Sequence, residues 1–320
     1  MSENIVHIED IFTPTFEDIK ARRHRGKDLS IKSLPSLDKK LWGFSKQKLN
    51  IVAARPSNGK STFLMQLALD FAFQGKKVVM FSLEMTNKVF VERVIANQCE
   101  IDNSLLYNGF IVDNMIAYEE PIKNLTERLA NINLILVESM GKTFAQIFQI
   151  IESLGEDIDC VLVDYVQMIK SDRQAKKDAI DEYIKKLREY AIKKSFCAVV
   201  ASQINRGTHE GGKTKPPRLW ELKGSGDLEE HSDMVIILHY PAHYSHSKYD
   251  DDTKFFITIA KNRDGRTGSI ECDFFGKYYK IREKGYEQIT DNHETDPFEG
   301  IYTDSQTMHP DGTENAGNFE

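Results

Sequence analysis

One short segment, residues 54–61, constrains the fold of this chain more than any other. An apolar run at 48–53 precedes it, and helix-forming residues at 62–69 follow it. A strand, a short loop, Gly-Lys-Ser and a helix together turn backbone N–H groups inward around an anion, and the helix N-terminus adds its positive dipole end. The sequence therefore predicts a phosphate-binding loop for a nucleoside triphosphate. The expected contact residues are Ala54, Arg55, Pro56, Ser57, Asn58, Gly59, Lys60, Ser61 and Thr62.

Two side chains of this loop have specific expected roles. Lys60 would reach the β- and γ-phosphates, and the Ser61 hydroxyl would bind Mg²⁺. The general pattern has Gly at its first position, where this chain has Ala54, but a small residue there still leaves room for the turn. The alternative is a Gly-Lys-Ser that stands at a helix start by chance. The strand and the helix around it favour the phosphate loop.

Composition is typical of a soluble globular protein. Apolar residues make up 40% and charged residues 28% of the sequence. The 320 residues are enough for one large domain or two modest ones. The sequence has no run of about 18 apolar residues and no secretory signal, so we expect no membrane span and a cytoplasmic location. The cysteines are far apart, which favours reduced thiols in or near the core over zinc or disulfides. They are Cys99, Cys160, Cys197 and Cys272.

The negative charge is concentrated at the C-terminus. The net charge is −7, but residues 291–320 contain eight acids and no Lys or Arg, so residues 1–290 have a net charge of +1. A near-neutral body can still carry a basic channel for a polyanion, and the total charge therefore does not exclude nucleic acid. The polar, acidic composition of 291–320 predicts a disordered tail. We expect an N-terminal arm at 1–30 and a folded body at 31–290.

Apolar strands alternate with helical segments along the body. This order predicts an α/β fold with a mostly parallel central sheet that is flanked by helices on both faces. A hairpin or meander is expected over 254–281, turning through Asp264-Gly265. The other expected strands are 48–53, 77–82, 132–138, 160–164, 198–203 and 234–238, with helices at 145–154 and 178–194.

Polar side chains stand where predicted strands end, and ligands of such sheets bind at the carboxyl ends of the strands. Asp164 ends an apolar strand and could orient Mg²⁺. Glu84 could activate an attacking water, or be an ordinary glutamate after a strand. Gln203 could sense a γ-phosphate or make a simple loop contact. Lys261 and Arg263 precede a turn, where they could neutralise a phosphoryl-transfer transition state or remain solvated.

Six motifs in order carry a family resemblance. They are residues 53–61, 81–85, 163–168, 202–206, 224–229 and 261–268. Together they resemble the C-terminal motor domain of DnaB-type replicative helicases, the hexameric ring helicases of superfamily 4, over about residues 30–283. The resemblance implies a RecA-like ATPase domain that uses ATP and Mg²⁺, forms a ring oligomer, translocates on single-stranded DNA and unwinds duplex DNA. The Ala54 substitution is also what this family tends to show.

The resemblance implies a role for each polar residue at the strand ends. Glu84 would be the base that activates water, Asp164 the magnesium residue and Gln203 the γ-phosphate sensor. Lys261 and Arg263 resemble the cationic fingers that reach the nucleotide of a neighbouring subunit. Hydrolysis would then depend on assembly.

DNA contact in the family comes from loops that line the channel of the ring. Residues 169–178 match the first loop in position only, and residues 223–226 match the second. The family usually has Arg followed by an acid where this chain has Lys and Gly, but Lys can still neutralise a phosphate. We expect nonspecific, salt-sensitive binding along the backbone. The expected DNA contacts are Arg173, Lys176, Lys177, Lys223, Gly224, Ser225 and Gly226.

The N-terminal arm differs from the family pattern. The family normally has a helical collar domain that receives a primase or loader, whereas about 30 residues precede the motor here. From this difference we expect a stand-alone motor from a phage or mobile element, with a loader or primase docking elsewhere. Ile11, Phe12, Phe16 and Ile19 have roughly helical spacing, as in the family's linker helix, which packs on the next subunit. The acidic tail could dock a basic partner or only solubilise the chain.

Two other functions stay open at this point. One is a recombinase-like or regulatory RecA-fold ATPase that binds DNA without unwinding it. The other is a binding module that uses the fold only for assembly, which the set Lys60, Ser61, Glu84 and Asp164 argues against. The number of subunits, the direction of travel and the preferred nucleotide base do not follow from the sequence.

Overall fold

A computed structural model describes residues 7–170, 176–204, 216–225, 228–244 and 253–284. Within these ranges the chain forms one nine-stranded sheet, with β3-β2-β4-β5-β1-β6-β7-β8-β9 as the strand order. The strands are Leu49–Ala54 (β1), Val78–Ser82 (β2), Leu134–Glu138 (β3), Cys160–Asp164 (β4), Cys197–Gln203 (β5), Met234–His239 (β6), Lys254–Asn262 (β7), Gly268–Phe275 (β8) and Lys280–Glu283 (β9).

The first six strands in that order are parallel, and the last three form an antiparallel meander. Strands β1, β2, β4 and β6 are buried along their whole length. Continuous apolar runs of this kind belong to parallel strands that are covered on both faces. The predicted mostly parallel sheet is therefore confirmed. The meander turns between β7 and β8, at the predicted Asp264-Gly265.

Helices cover both faces of the sheet. One buried cluster joins α3 and the 29–44 segment to one face, and a second joins α7 and α8 to the other. The helices are Ile8–Arg25 (α1), Pro35–Leu41 (α2), Lys60–Phe73 (α3), Asn87–Cys99 (α4), Asn103–Tyr107 (α5), Met115–Leu129 (α6), Phe144–Ser153 (α7), Lys176–Lys194 (α8) and Leu228–His231 (α9). Short 3-10 helices span Phe110–Asn114, Val166–Met168, Leu219–Ser225, Pro241–Tyr244 and Gly276–Tyr278.

The segment between α1 and β1 is fixed to the body by two buried carboxylates. Asp38 accepts hydrogen bonds from the Ile31 N–H (2.7 Å) and the Ser30 hydroxyl (2.9 Å), and it pairs with Lys27. Glu283 accepts hydrogen bonds from the backbone of α2 at residues 36 and 37. These contacts hold the two ends of the folded body together, since Glu283 ends the last strand.

Helix α1 has exposed apolar side chains. Phe12 and Phe16 stack on each other with ring centroids 6.4 Å apart, and their exposed fractions are 66% and 51%. Ile8, Ile11 and Ile19 are also exposed. The helix therefore exists where the spacing predicts it, and its apolar face is solvated.

Three of the four cysteines, at positions 160, 197 and 272, are buried free thiols, and Cys99 is a half-buried one. None of the helices in the described residues is long and apolar enough to cross a membrane. By its internal contacts the chain divides into Met1–Lys284 and Gly285–Glu320. The predicted acidic tail, 291–320, lies outside the described residues.

Candidate active site

The predicted phosphate loop connects β1 to α3. Ala54 is the last residue of β1, and it lies in register with Gln203 of β5 on one side and Leu238 of β6 on the other. It is fully buried and has no positive φ, so residue 54 needs a small side chain but not the conformational freedom of a glycine. The Gly-to-Ala difference therefore leaves the loop intact.

Glycine is required at position 59. Gly59 has φ +75°, in the left-handed region, and it directly precedes the first residue of α3. A Cβ there would also lie 3.3 Å from the Phe255 ring. Both the backbone conformation and the close ring favour glycine, which gives the turn into the helix its shape.

Asn58 fixes the loop to the segment that follows β6. Its side chain is fully buried, and its amide donates to the Pro56 carbonyl (2.9 Å) and the Tyr244 hydroxyl (3.0 Å). Its side-chain oxygen accepts a hydrogen bond from the Tyr240 N–H (2.8 Å). The shape of the loop is thus maintained by side-chain contacts with the segment after β6.

The Lys60 ammonium lies inside this loop. Only 8% of the residue is exposed, and Nζ donates weakly to the carbonyls of Ala54 (3.5 Å) and Arg55 (3.4 Å). Burial lowers the pKa of Lys60, while Asp164 and Glu84 raise it. A buried cation whose hydrogen bonds to these carbonyls are long is well placed to bind an anionic oxygen.

Asp164 is the buried acid of the site. It ends β4 in register with Ser82, and neither carboxylate oxygen has a hydrogen-bond partner among the described residues. Burial raises the pKa of Asp164, and the nearby Ser61 hydroxyl and Lys60 ammonium act in the opposite direction. A fully buried, unpartnered carboxylate beside a hydroxyl suits Mg²⁺, which binds through one or two protein oxygens together with phosphates and water.

The described residues contain no group of three or more His, Cys, Asp or Glu side chains that could hold a metal ion. Mg²⁺ at Asp164 and Ser61 would therefore need oxygens from the triphosphate. This donor set fits a metal that arrives with its nucleotide.

Glu84 lies in the bend that follows β2 and is exposed. The Leu83 N–H donates to the Asp164 carbonyl (2.8 Å), which fixes the bend next to β4. The charge of Glu84 acts on the pKa of both Lys60 and Asp164. The structure therefore brings these three predicted residues together at the carboxyl ends of the parallel strands.

Gln203 ends β5 next to Ala54, and a second glutamine holds its backbone. Gln167 accepts from the Gln203 N–H (3.1 Å) and donates to the Gln203 carbonyl (3.2 Å) and the Ser202 hydroxyl (2.8 Å). Gln167 belongs to one of the sequence motifs, but no local pattern assigns it a role. Its contacts fix the strand end that carries the predicted sensor.

Lys261 and Arg263 lie at the opposite edge of the sheet. Strand β7 runs antiparallel to β6, so its last residues stand beside the start of β6. The Arg263 N–H donates to the Asp233 carbonyl (2.9 Å), and Asp233 accepts from the N–H of Leu49, the first residue of β1. The six residues of β1 separate that point from the phosphate loop, a length of about 20 Å. These cations are therefore remote from the phosphate loop of their own chain.

Both cations are held by the segment around α9. The Lys261 ammonium donates to the carbonyls of Glu229 and Ser232, the second at 2.8 Å. The Arg263 guanidinium donates to the Glu230 carbonyl (2.6 Å) and contacts Asp233 (3.4 Å). Burial lowers the pKa of Lys261, as does the charge of Arg263.

The predicted DNA contacts fall at the margins of the described residues. Arg173 and Gly226 lie outside them. Lys176 and Lys177 begin α8, and Lys223, Gly224 and Ser225 lie in the 3-10 helix Leu219–Ser225. That 3-10 helix contacts the phosphate loop, because Glu221 forms an ion pair with Arg55 at 3.1 Å.

The Arg55–Glu221 pair was not expected from the sequence. The two residues are 166 positions apart, and no local pattern links them. His239 lies beside the pair, and burial lowers its pKa to about 4, with the Arg55 charge acting in the same direction and Glu221 against it. His239 is therefore neutral at pH 7.

A family model described as the DnaB-like helicase C-terminal domain matches residues 31–283. The replicative DNA helicase DnaC of Bacillus subtilis is 28% identical over 292 residues, which are 86% of this chain and 61% of that protein. A probable plasmid replicative DNA helicase of Chlamydia psittaci is 28% identical over 244 residues, 75% of this chain and 52% of that protein. The chain thus spans less than two thirds of the length of these relatives.

Two solved structures share the fold. One, an ATPase domain, has a TM-score of 0.78 and 21% identity, and the match covers 88% of this chain and 99% of that one. A structure of a DnaB-like replicative helicase and its interactions with primase has a TM-score of 0.73 and 21% identity, covering 88% of this chain and 67% of that one. With the family model spanning the whole body from the 29–44 segment to β9, the chain belongs to the DnaB-like helicase C-terminal domain family and has its RecA-like ATPase fold.

Proposed function

We propose that this protein is the ATP-dependent motor of a replicative DNA helicase, which translocates on single-stranded DNA and unwinds duplex DNA as a homo-oligomeric ring. The observation that carries the proposal is the meeting of Lys60, Ser61, Asp164 and Glu84 at one edge of the sheet, in a chain whose relatives are replicative DNA helicases. These residues are the parts that phosphoryl transfer to water needs.

Each residue would act on the bound ATP in its own way. Residues 54–62 cradle the phosphates, and Lys60 binds the β- and γ-phosphate oxygens. Ser61 and Asp164 hold Mg²⁺, which when bound neutralises charge on the phosphate oxygens. Glu84 is exposed at the mouth of the site, where it can accept a proton from the attacking water. Gln203 contacts the γ-phosphate and relays its loss to the segment that follows β5.

Hydrolysis would require a second subunit. Lys60 supplies a cation from within the loop, but Lys261 and Arg263 stand about 20 Å from their own phosphate loop by the length of β1. We infer that they act on the nucleotide of a neighbouring copy, as transition-state cations. The exposed apolar face of α1 would pack on the next subunit and hold the ring, a hexamer, together.

The proposed DNA path lies along the segments that carry Lys176, Lys177 and residues 223–226, together with Arg173. Basic side chains and backbone N–H groups would follow the phosphates of one strand, giving binding without sequence preference that weakens as salt rises. A loader or primase is a further proposed partner, and the acidic tail at 291–320 is its candidate docking segment.

The test measures ATP hydrolysis with and without single-stranded DNA, and strand separation of a forked duplex, for the wild-type chain and for Lys60→Ala. We expect DNA-stimulated hydrolysis and unwinding in the wild type and neither in the variant. Stimulated hydrolysis without strand separation would favour the alternative, a RecA-like DNA-binding ATPase. A particle that stays monomeric with ATP and DNA present would contradict the ring.

A further inference from the structure

One largely buried ion pair joins the phosphate loop to the 3-10 helix that carries the proposed DNA contacts. The Arg55 guanidinium contacts the Glu221 carboxylate at 3.1 Å, and the exposed fractions of the two side chains are 8% and 13%. Most other ion pairs among the described residues have at least one partner that is far more exposed. A pair this well shielded from water holds its geometry more strictly than a surface pair does.

The Arg55 end of the pair reaches the anion site through the backbone. The Arg55 carbonyl accepts hydrogen bonds from the Lys60 ammonium (3.4 Å) and from the Asn58 N–H (3.3 Å). A shift of Arg55 therefore moves an oxygen that competes with phosphate for Lys60. Binding of a triphosphate would draw Lys60 away from this carbonyl and change the constraint on Arg55.

The Glu221 end reaches the proposed DNA contacts. Its second oxygen accepts a hydrogen bond from the Arg218 N–H (3.0 Å), so both carboxylate oxygens are used and the side chain is fixed to the start of the 3-10 helix. Lys223 follows two residues later in the same short helix. Because both residues lie in this helix, a displacement of Glu221 would also displace the backbone at Lys223.

The histidine beside this pair adds no charge to it at pH 7. His239 is only 3% exposed and lies beside both partners, and it is neutral at pH 7. A buried ion pair adds little net stability because desolvation offsets the attraction, whereas breaking it leaves an unpaired charge. Its effect is therefore on position, which is what coupling between two sites requires.

We propose that Glu221 is a positioning residue that couples the nucleotide site to the DNA site by holding Arg55. The inference rests on the proposed function, because it assumes that the 219–225 helix faces DNA. The Arg55–Glu221 pair would link the two binding sites physically. Binding of nucleotide would then change the affinity of the chain for DNA, and binding of DNA would change its affinity for nucleotide.

The experiment measures the affinity of the full chain for an oligo-dT strand with and without a non-hydrolysable ATP analogue, for the wild type and Glu221→Gln. The ratio of the two dissociation constants is the coupling factor, and the reverse titration must give the same factor. We expect Glu221→Gln to lower this factor by about tenfold, because the neutral side chain no longer holds Arg55 by its charge.

Two further variants separate coupling from folding. Glu221→Asp keeps the charge and is expected to restore part of the coupling, and it carries the test if Glu221→Gln does not fold. Glu283→Gln makes the same change at a buried glutamate that holds the backbone of α2 and is expected to leave the coupling factor at its wild-type value.

A direct readout comes from Trp220, the exposed neighbour of Glu221 and one of two tryptophans in the chain. In a Trp42→Phe background its fluorescence should change when the ATP analogue binds, and Glu221→Gln should remove that change. Equal coupling factors in folded Glu221→Gln and wild type would overturn the inference. A wild type that neither binds oligo-dT nor hydrolyses ATP would instead overturn the proposed function.

Discussion

At the scale of single residues, Asp164 is the charged group of the site that its surroundings stabilise least. Its carboxylate is fully buried without a hydrogen-bond partner among the described residues, and burial raises its pKa. Such a group costs stability when it is ionised. A cation that binds at this position together with the nucleotide would explain why a carboxylate is buried there.

Asp164→Asn tests this explanation. The change keeps the shape but removes the charge that would hold Mg²⁺, so we expect hydrolysis to fall by about a hundredfold or more. The variant avoids the desolvation cost of a buried carboxylate but loses the charge that faces Lys60, so we expect its unfolding temperature to stay close to the wild-type value. Steady-state hydrolysis across a Mg²⁺ titration and thermal unfolding measure the two effects. A variant with normal hydrolysis would contradict the role of Asp164.

Glu84→Gln tests the proposed base. The side chain is exposed in its bend, so the change should not affect folding. We expect the rate of hydrolysis to fall by about a hundredfold to ten-thousandfold while ATP affinity is retained. Single-turnover hydrolysis and equilibrium binding of a fluorescent nucleotide separate the two quantities. Loss of ATP binding together with hydrolysis would assign Glu84 to the binding of nucleotide instead.

The sequence predicts the residues of the site better than it predicts the residues that hold them in position. Lys60 and Asp164 follow from local patterns, because an apolar strand shortly before each of them fixes its position. Gln167 and Glu221 do not, since their partners are 36 and 166 residues away and meet them only after the sheet has formed. The contact between Glu221 and Arg55 requires the parallel strand order that places β1 between β5 and β6.

Among the elements, α3 is held to the segment before α2 by a carboxyl that titrates near neutral pH. Burial raises the pKa of Asp70 to about 7, while the N–H and hydroxyl of Ser33, which donate to it, lower it. The folded chain favours the protonated form of Asp70. The protonated carboxyl therefore contributes fully to the free energy of unfolding below about pH 4, the pKa of an unfolded Asp. This contribution is lost as the pH rises through about 7.

Asp70→Asn removes this titration. We expect the urea midpoint of the variant to exceed that of the wild type at about pH 8, and the difference to shrink as the pH falls and to vanish at about pH 4, because only the wild type must bury a charge at the higher pH. Asp157→Asn is the control, since Lys77 lowers the pKa of that exposed carboxyl and its titration lies below this window. Parallel pH dependence in wild type and Asp70→Asn would contradict the assignment.

Elements with strong periodicity follow from the sequence almost to the residue. The spacing of Ile180, Ile184, Leu187 and Ala191 predicts α8, and all four are buried. Strand β4 has the predicted bounds because it is apolar up to the acid that ends it. Helices α5 and α6 have no such pattern, because these two fully described helices carry one buried residue between them and so have no buried apolar stripe.

In the molecule as a whole, α1 presents an apolar face that its own body leaves exposed. If this face packs on a second copy, replacing its two stacked rings should weaken assembly. We expect Phe12→Asp with Phe16→Asp to lower the particle mass in ATP, measured by light scattering, without lowering the unfolding temperature of the body. Trp42→Phe, at an exposed aromatic outside α1, should leave the mass unchanged. A full-mass particle in the double variant would contradict a role for α1 in assembly.

The strongest prediction about the assembled particle concerns sites shared between copies. If Lys60 and Arg263 belong to the same active site only across an interface, Lys60→Ala and Arg263→Ala should each be inactive alone. A one-to-one mixture should regain activity, because in a head-to-tail ring about a quarter of the sites then combine an intact phosphate loop with an intact cation. Arg266→Ala, an exposed arginine on the same turn, should remain active without mixing. A mixture that stays inactive, from subunits shown to exchange, would mean that Arg263 acts within its own chain or has only a structural role in its contacts with Asp233 and the Glu230 carbonyl.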